Sequence, residues 1–144
     1  MKRALLTFVL SILFLVTFSC NNDDDSSNNG DAISITGTWE LIRFEDQDSG
    51  IIHTPPEDSA NPITITFETD TFQGSMEANS FFGDYYLSSN QLIIENMGST
   101  LVAESAWGSR FFEAMMSNVM TYAIEGNTLV IEYDESEFIH FSKR

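Results

Sequence analysis

The sequence has few of the residues on which several common protein functions depend. It contains one cysteine, two histidines and three prolines, and six basic residues stand against 22 acidic ones, for a net charge of −16. A single cysteine excludes an intramolecular disulfide, and two histidines without His-x-x-x-His spacing argue against a zinc site. Nucleic acids are bound largely through Lys and Arg contacts to phosphate. The composition therefore argues against a disulfide scaffold, a zinc protein or a nucleic-acid partner.

The one cysteine, Cys20, stands where an apolar N-terminal segment gives way to an acidic, asparagine-rich stretch. Lys2 and Arg3 precede the apolar run 4–18, and the small residue Ser19 follows it. A membrane-spanning helix needs about 20 apolar residues, so this run is short for a span. Its length and its flanks are those of a secretory signal peptide.

The string Thr17-Phe18-Ser19-Cys20 resembles a lipoprotein signal-peptidase site, although Thr17 stands where an aliphatic residue is usual. We therefore expect residues 1–19 to be a lipoprotein signal peptide and Cys20 to be lipidated. A single acyl chain binds a membrane only marginally, whereas several chains on one residue make the attachment effectively permanent. The expected location is the outer membrane, with the membrane itself as a partner through the lipid on Cys20.

Residues 20–32 are predicted to form a disordered acidic tether, because 21–31 contain no aliphatic or aromatic side chain to bury. The run Asp23-Asp24-Asp25 resembles the acidic export signals of some Gram-negative surface lipoproteins. That resemblance implies display on the cell surface. Any solvated spacer can carry the same three aspartates, so a periplasmic orientation stays open.

Residues 33–144 are long enough for one domain with its own core. Most of this stretch alternates polar and apolar residues with period two, as in Ile63, Ile65 and Phe67. Such alternation predicts half-buried antiparallel strands separated by short turns. The predicted strands are 39–42, 63–67, 71–76, 82–87, 91–95, 121–125, 127–133 and 137–142.

One segment, from Ser105 to Met120, follows a helical period instead. Its apolar residues form a wide face, and Ser105 or Ser109 can cap its start. We expect this face to be core. The predicted class is α+β but mainly β: an antiparallel sheet or open barrel of about seven to eight strands, with one amphipathic helix packed against it or plugging one end. The face consists of Trp107, Phe111, Met115 and Val119 in one row and Phe112, Met116 and Met120 in the other.

The stretch from Gly74 to Phe141 resembles the META domain, also called HslJ-like. Asn79 precedes Phe81-Phe82-Gly83-Asp84-Tyr85, which is similar to the family's Phe-x-Gly-x-Tyr motif, and Ser99 and Thr100 follow the next hairpin. The resemblance implies a compact β-rich fold with one helix, and Asn79, Gly83, Ser99 and Thr100 as family motif residues. It brings no defined activity, since the family is linked only loosely to envelope stress and antibiotic tolerance.

Two departures from the family pattern bear on the fold. The two family cysteines fall on Ala78 and Glu104 here, so a bridge between them would be lost whole. Leu101-Val102 replaces the family's Arg-Met pair. Gly37-x-Trp39 near the first strand is also similar to a lipocalin signature, which keeps a lipocalin-like carrier as the alternative.

No residue constellation predicts catalysis, so we expect a non-enzymatic protein with no cofactor, no metal and no catalytic residue. His140 lies in the last predicted strand, and we expect it to face solvent or make a polar contact. His53 is expected in a loop. The acidic stretch after Asp46 is similar to a calcium loop, but Ile51 occupies the position that needs glycine, so we interpret it as a loop between strands.

The best candidate binding surface is the aromatic run Phe81, Phe82, Tyr85 and Tyr86. Successive strand residues face opposite sides, so Phe81 and Tyr85 share one face, and Phe82 and Tyr86 share the other. One pair is expected in the core. The second pair is either a binding platform or buried under the helix, and we expect burial because aromatic residues dominate small cores.

These observations give three functional hypotheses. The first is a monomeric, lipid-anchored envelope module, involved in binding or stress, that takes an envelope protein, a glycan or a small apolar ligand. The second is a lipocalin-like carrier of a small apolar ligand, which requires an open internal cavity of several hundred Å³. The third is a hydrolase, which requires two carboxylates that converge in a cleft.

Overall fold

The computed structural model describes residues 34–59 and 61–144. The predicted signal peptide, Cys20 and the tether lie outside the described residues. Within the described ranges, no helix has the length and apolarity that a membrane crossing requires. The elements are β1 (Gly37–Asp46), β2 (Ile51–His53), β3 (Thr64–Phe67), β4 (Thr71–Ser75), β5 (Ser80–Ser88), β6 (Gln91–Ser99), α1 (Ala106–Met115), β7 (Val119–Glu125), β8 (Thr128–Asp134) and β9 (Glu137–Lys143).

The strands form one antiparallel sheet that closes on itself. The order is β2-β1-β3-β4-β5-β6-β7-β8-β9, and β1 also pairs with β9, with Trp39 opposite Lys143. The result is a closed barrel of eight strands with β2 as an extra strand. The predicted class, mainly β with one helix, is confirmed.

The barrel interior is filled by side chains at alternate strand positions. Phe81 and Phe72 lie in neighbouring strands with ring centroids 6.2 Å apart, inside a core that runs around the whole barrel. A Cβ at Gly83 would collide with the Asn96 carbonyl oxygen and the Phe72 ring, and one at Gly74 with the Phe81 ring. Glycine is therefore required where these rings cross the neighbouring backbone.

Helix α1 begins where predicted and ends earlier. The Ser105 hydroxyl accepts a 2.9 Å hydrogen bond from the Gly108 N–H and caps the helix. The ring of Phe111 packs 5.2 Å from Phe81 and 6.3 Å from Phe141, between centroids, so the helix fills the interior with its apolar face. The structural role predicted for that face is confirmed for Trp107, Phe111 and Met115, which are buried.

The predicted continuation of the helix to Met120 is wrong. Val119 and Met120 lie in β7, where Val119 pairs with Ile93, and the N–H of Ile94 donates to the Asn118 carbonyl at 3.0 Å. Pairing with β6 therefore overrides the helical period at these positions. Met120 is still buried, but Met116 and Val119 are exposed and do not extend the helix face into the core.

Two further predictions concern the segment after β1. The Asp46 carboxylate accepts hydrogen bonds from the N–H groups of Asp48 (3.0 Å) and Ser49 (3.1 Å), which closes a tight turn into β2. The pKa of Asp46 is lowered, first by a 2.7 Å hydrogen bond from the Ser49 hydroxyl and then by these N–H groups. The loop interpretation fits this geometry, but His53 lies in β2 rather than in a loop.

Candidate functional site on the outer face of the barrel

The aromatic run of β5 is divided by the strand into an inner and an outer pair. Phe81 and Tyr85 are only 1% and 4% exposed, whereas Phe82 is 61% and Tyr86 48% exposed. Phe81 and Tyr85 therefore cannot belong to a binding surface. The expected burial of the second pair is wrong, because α1 packs against inward residues and leaves the outer side of β5 uncovered.

The inner pair is held firmly. The Tyr85 ring lies 5.1 Å from that of Phe67, and its hydroxyl donates a 2.6 Å hydrogen bond to the Glu68 carbonyl at the turn between β3 and β4. Burial raises the pKa of the Tyr85 hydroxyl, so it stays a neutral donor. These contacts fix the register of β5 and hence the direction in which Phe82 and Tyr86 point.

On the outer side, the Phe82 ring crosses the backbone of β6. Phe82 pairs with Gly98, and a Cβ at Gly98 would lie 3.2 Å from Cζ of Phe82. The glycine lets the ring rest against the neighbouring strand, as in aromatic pairs that cover strand glycines. One side of the ring is thus supported by the sheet and the other is open to solvent.

This ring borders a surface depression of about 590 Å³ over β4, β5 and β6. The acidic residues Asp84 and Glu68 are among those that line it, and the Asp84 carboxylate accepts a 3.0 Å hydrogen bond from Asn96 Nδ2. No basic side chain is among the lining residues. Because Asp84 follows Phe82 by two residues, it lies on the same face about 7 Å along the strand.

A second apolar feature lies further along the same outer face. Tyr86 pairs with Ile93, and Ile93 pairs with Val119, so the three residues form one row across β5, β6 and β7. Tyr86 and Val119 are exposed and Ile93 is half-buried. Phe82 and Tyr86 are about 13 Å apart along the strand. The depression and the row thus place two exposed aromatic side chains on the outer face of β5, with Asp84 between them.

The family motif residues are structural in this chain. Asn79 is buried: its Nδ2 donates to the Val102 carbonyl and to Glu104 Oε2, both at 2.9 Å. Its Oδ1 accepts from the Val102 N–H at 2.8 Å and from the Thr100 hydroxyl at 3.0 Å. Ser99 pairs with Phe81 at the end of β6. Asn79 therefore joins the turn before β5 to the loop after β6.

The two positions that resemble the family's cysteines are also joined, by hydrogen bonds. The Glu104 carboxylate accepts from the Ala78 N–H (3.1 and 3.2 Å) and from the Asn79 N–H (3.0 Å). Burial acts to raise the pKa of Glu104, but the hydrogen bonds from Asn79, Ser105 and Ala78 outweigh it and lower the pKa. Hydrogen bonds to a carboxylate thus connect the turn before β5 to the segment before α1.

His140 lies beside an acidic and a basic residue of β1. His140 Nε2 lies 3.0 Å from Glu45 Oε2, and Arg43 Nη2 lies 3.3 Å from the same oxygen. Burial, followed by the nearby Arg43 charge, lowers the pKa of His140. Among the residues described, no group of three or more His, Cys, Asp or Glu side chains is placed to hold a metal ion.

Sequence reasoning found Phe82 and Tyr86 but missed the residues around them. Asp84 stands two positions after Phe82 in the same strand, so period two already places it on the same face. Glu68 and Asn96 reach the depression only through strand pairing, and no sequence signal identifies them.

A closed eight-stranded antiparallel barrel, filled by its own side chains and by one helix, defines the class of this protein. The chain belongs to the META domain family, whose model matches residues 32–144. The match covers the whole of the predicted domain, 33–144, and confirms the resemblance seen in the sequence.

Solved structures agree with this fold. A protein from Burkholderia xenovorans, solved by NMR, is 20% identical, with a TM-score of 0.60 over 75% of this chain and 81% of the other. The crystal structure of a DUF4847 family protein from Bacteroides vulgatus is 19% identical, with a TM-score of 0.59 over 78% and 95%. No curated protein matches the sequence. At these identities the likeness concerns the fold alone.

Proposed function

We propose that this protein is a non-enzymatic, lipid-anchored envelope protein whose META barrel binds a partner through the outer face of β5. The observation that carries the proposal is the exposure of Phe82 and Tyr86 in a strand whose other two aromatics fill the core. Exposed clusters of large apolar side chains commonly mark interaction sites. In this proposal the barrel is the scaffold, and the partner binds to the outer face of β5.

The anchor rests on the sequence around Cys20. The short apolar run, the small residue before the cysteine and the acidic stretch after it together support export and lipidation. Lipid on Cys20 would keep the barrel at the outer membrane, with the acidic stretch as spacer. Surface display is the orientation that the Asp23–Asp25 run favours.

The filled interior favours this proposal over the lipocalin-like carrier. Phe81, Phe111 and Phe141 meet inside the barrel, with Met115 of the helix buried beside them. A carrier needs an enclosed, accessible space for its ligand. In the described part of the chain, that volume is taken by the protein's own side chains.

One experiment tests the anchor and the surface together. A photo-crosslinking phenylalanine analogue replaces Tyr86 in the full chain, produced in a Gram-negative host either with Cys20 or with Cys20→Ala. We expect the Cys20 form in the outer-membrane fraction and the alanine form in the soluble fraction. Illumination of the anchored form should give a discrete adduct at Tyr86.

The matched control carries the analogue at Asp134, an exposed hairpin position away from β5. An adduct from Tyr86 that disappears with Phe82→Ser, and that Asp134 does not give, supports the proposed surface. Equal adducts from both positions would contradict it. Membrane association of the Cys20→Ala form would contradict the anchor.

A further inference from the structure

We propose that the depression beside Phe82 binds a basic segment of a partner protein, with an Arg or Lys side chain seated over the Phe82 ring and next to the Asp84 and Glu68 carboxylates. This inference rests on the proposed function, because it uses the same outer face. It adds the chemical class of the partner.

The first argument is the position of the Phe82 ring in the depression. Gly98 allows the Phe82 ring to rest on β6, so the ring is supported by the neighbouring strand where it lines the depression. The negative face of an aromatic ring attracts a cation placed within about 6 Å of its centre. A supported ring loses little freedom when a cation settles on it, which favours Phe82 as a binding platform.

The second argument is charge. Asp84 and Glu68 are exposed acids in the lining, and no base lines the depression. A site of one sign attracts a partner of the other sign and repels one of the same sign. The Phe82 ring beside two acidic residues therefore fits an Arg or Lys side chain, which has an apolar stem and a charged end, better than a neutral apolar ligand.

The chain does not supply this cation from its own described residues. Arg43 Nη2 lies 3.3 Å from Glu45, Arg144 Nε lies 2.7 Å from Glu40, and Lys143 Nζ lies 5.1 Å from the centre of the Trp39 ring. The fourth base, Arg110, is also engaged. Among residues 34–59 and 61–144, every Lys and Arg thus has a carboxylate or aromatic neighbour.

Arg110 shows the arrangement that the depression lacks. Its guanidinium carbon lies 4.5 Å from the centre of the Phe44 ring, and its Nη2 lies 4.0 Å from Glu137 Oε2. The depression already has the ring of Phe82 and nearby acidic residues. A partner that supplied the cation would complete the same arrangement there. The barrel already uses this chemistry within its own fold.

A peptide segment fits the site better than a single ion. The depression is open, and the row of Tyr86, Ile93 and Val119 continues the apolar surface about 13 Å along β5. That span matches about four residues of an extended peptide. A basic residue at Phe82 and an apolar residue at Tyr86 would occupy both features.

The test uses the full chain in a neutral detergent and a fluorescent octapeptide with arginine at positions 1 and 2, leucine at positions 5 and 6 and serine elsewhere, so that a basic and an apolar side chain stand four residues apart. Its affinity is measured by anisotropy against the same octapeptide with glutamate in place of arginine. We expect the arginine peptide to bind more tightly, and Phe82→Ala and Phe82→Leu each to weaken it about threefold to fivefold. Phe82→Trp should keep or strengthen binding, because Trp has the best cation-binding ring.

A charge series completes the test. Asp84→Asn should weaken the arginine peptide about twofold to threefold, whereas Asp134→Asn, which removes the same charge elsewhere, should change it little. Circular dichroism confirms that each variant is folded. Equal loss from both aspartates would mean general attraction to a negative protein, and an equal effect of Leu and Trp at Phe82 would mean that the ring face is not used. Either outcome overturns the inference.

The two proposals fail differently. If the arginine peptide does not bind, but the adduct at Tyr86 still depends on Phe82, only the basic partner is wrong. If the adduct is also absent, the outer face of β5 is not a binding surface and both proposals fall.

Discussion

The two faces of β5 each carry two aromatic residues, but one pair is buried in the core and the other is exposed. The inward series, Asn79 just before the strand and then Phe81, Gly83 and Tyr85, makes ring contacts, close backbone approaches and part-buried hydrogen bonds. The outward series Ser80, Phe82, Asp84 and Tyr86 is exposed at every position. A shift of one residue in register would exchange the two sets, so the buried series determines which aromatics are available for binding.

The largest difference between the faces should be in stability. Phe81→Ala removes a ring that contacts both Phe72 and Phe111, and we expect it to lower the free energy of unfolding by about 3–5 kcal/mol. Phe82→Ala, its control on the outer face, should cost at most about 1 kcal/mol. Urea unfolding of both variants measures the difference. Similar losses would show that the outer ring is as structural as the inner one.

A smaller effect on the free energy of unfolding is expected at Asn79, the buried polar residue just before β5. Asn79→Ala leaves the Val102 N–H and carbonyl without their side-chain partner, and should cost about 1–2 kcal/mol because these part-buried groups lose their hydrogen bonds. Asn96→Ala removes an exposed amide that contacts only Asp84 among the described hydrogen bonds, and should change stability by less than about 0.5 kcal/mol. Thermal unfolding distinguishes the two, and an equal shift in Tm would refute a special role for Asn79.

The smallest effect should appear in acid. The pKa of Glu104 is lowered from its ordinary value of 4.5 in the folded state, so its stabilising contribution is present above pH 4.5 and is lost as the pH falls through the lowered value. Glu104→Gln should flatten this part of the stability profile between pH 6 and 3, by a modest amount because the carboxylate is only partly buried and solvent screens its charge. Glu113→Gln, at an exposed helix position, is the control and should leave the acid limb unchanged.

Local patterns in the sequence were sufficient for most of the barrel. Period two identifies eight of the nine strands, since residues such as Ile63, Ile65 and Phe67 alternate cleanly with polar neighbours. β2 was missed because it is short and exposed, so it has no buried face to generate a pattern. Closure was also missed, because pairing between β1 and β9 depends on distant residues.

The same limit applies to the candidate site. The aromatic residues of β5 are visible in the sequence, but which pair is buried depends on where the helix packs. The helical period overestimated the length of α1. Met120 fits that period, but it is buried as a residue of β7. Glu104 is an ordinary acid in the sequence, and only the fold brings it to the Ala78 and Asn79 N–H groups.

The pairing of the first and last strands has a consequence for how the molecule is made. During synthesis β1 emerges early, but its partner β9 is almost the last part of the domain to be completed. Until then one edge of β1 is unpaired, and unpaired edges can join other chains. Contacts between such distant residues also slow folding. Loss of the final strand would therefore leave the whole sheet permanently open, so a truncation at residue 136 should yield an aggregating product rather than a smaller barrel.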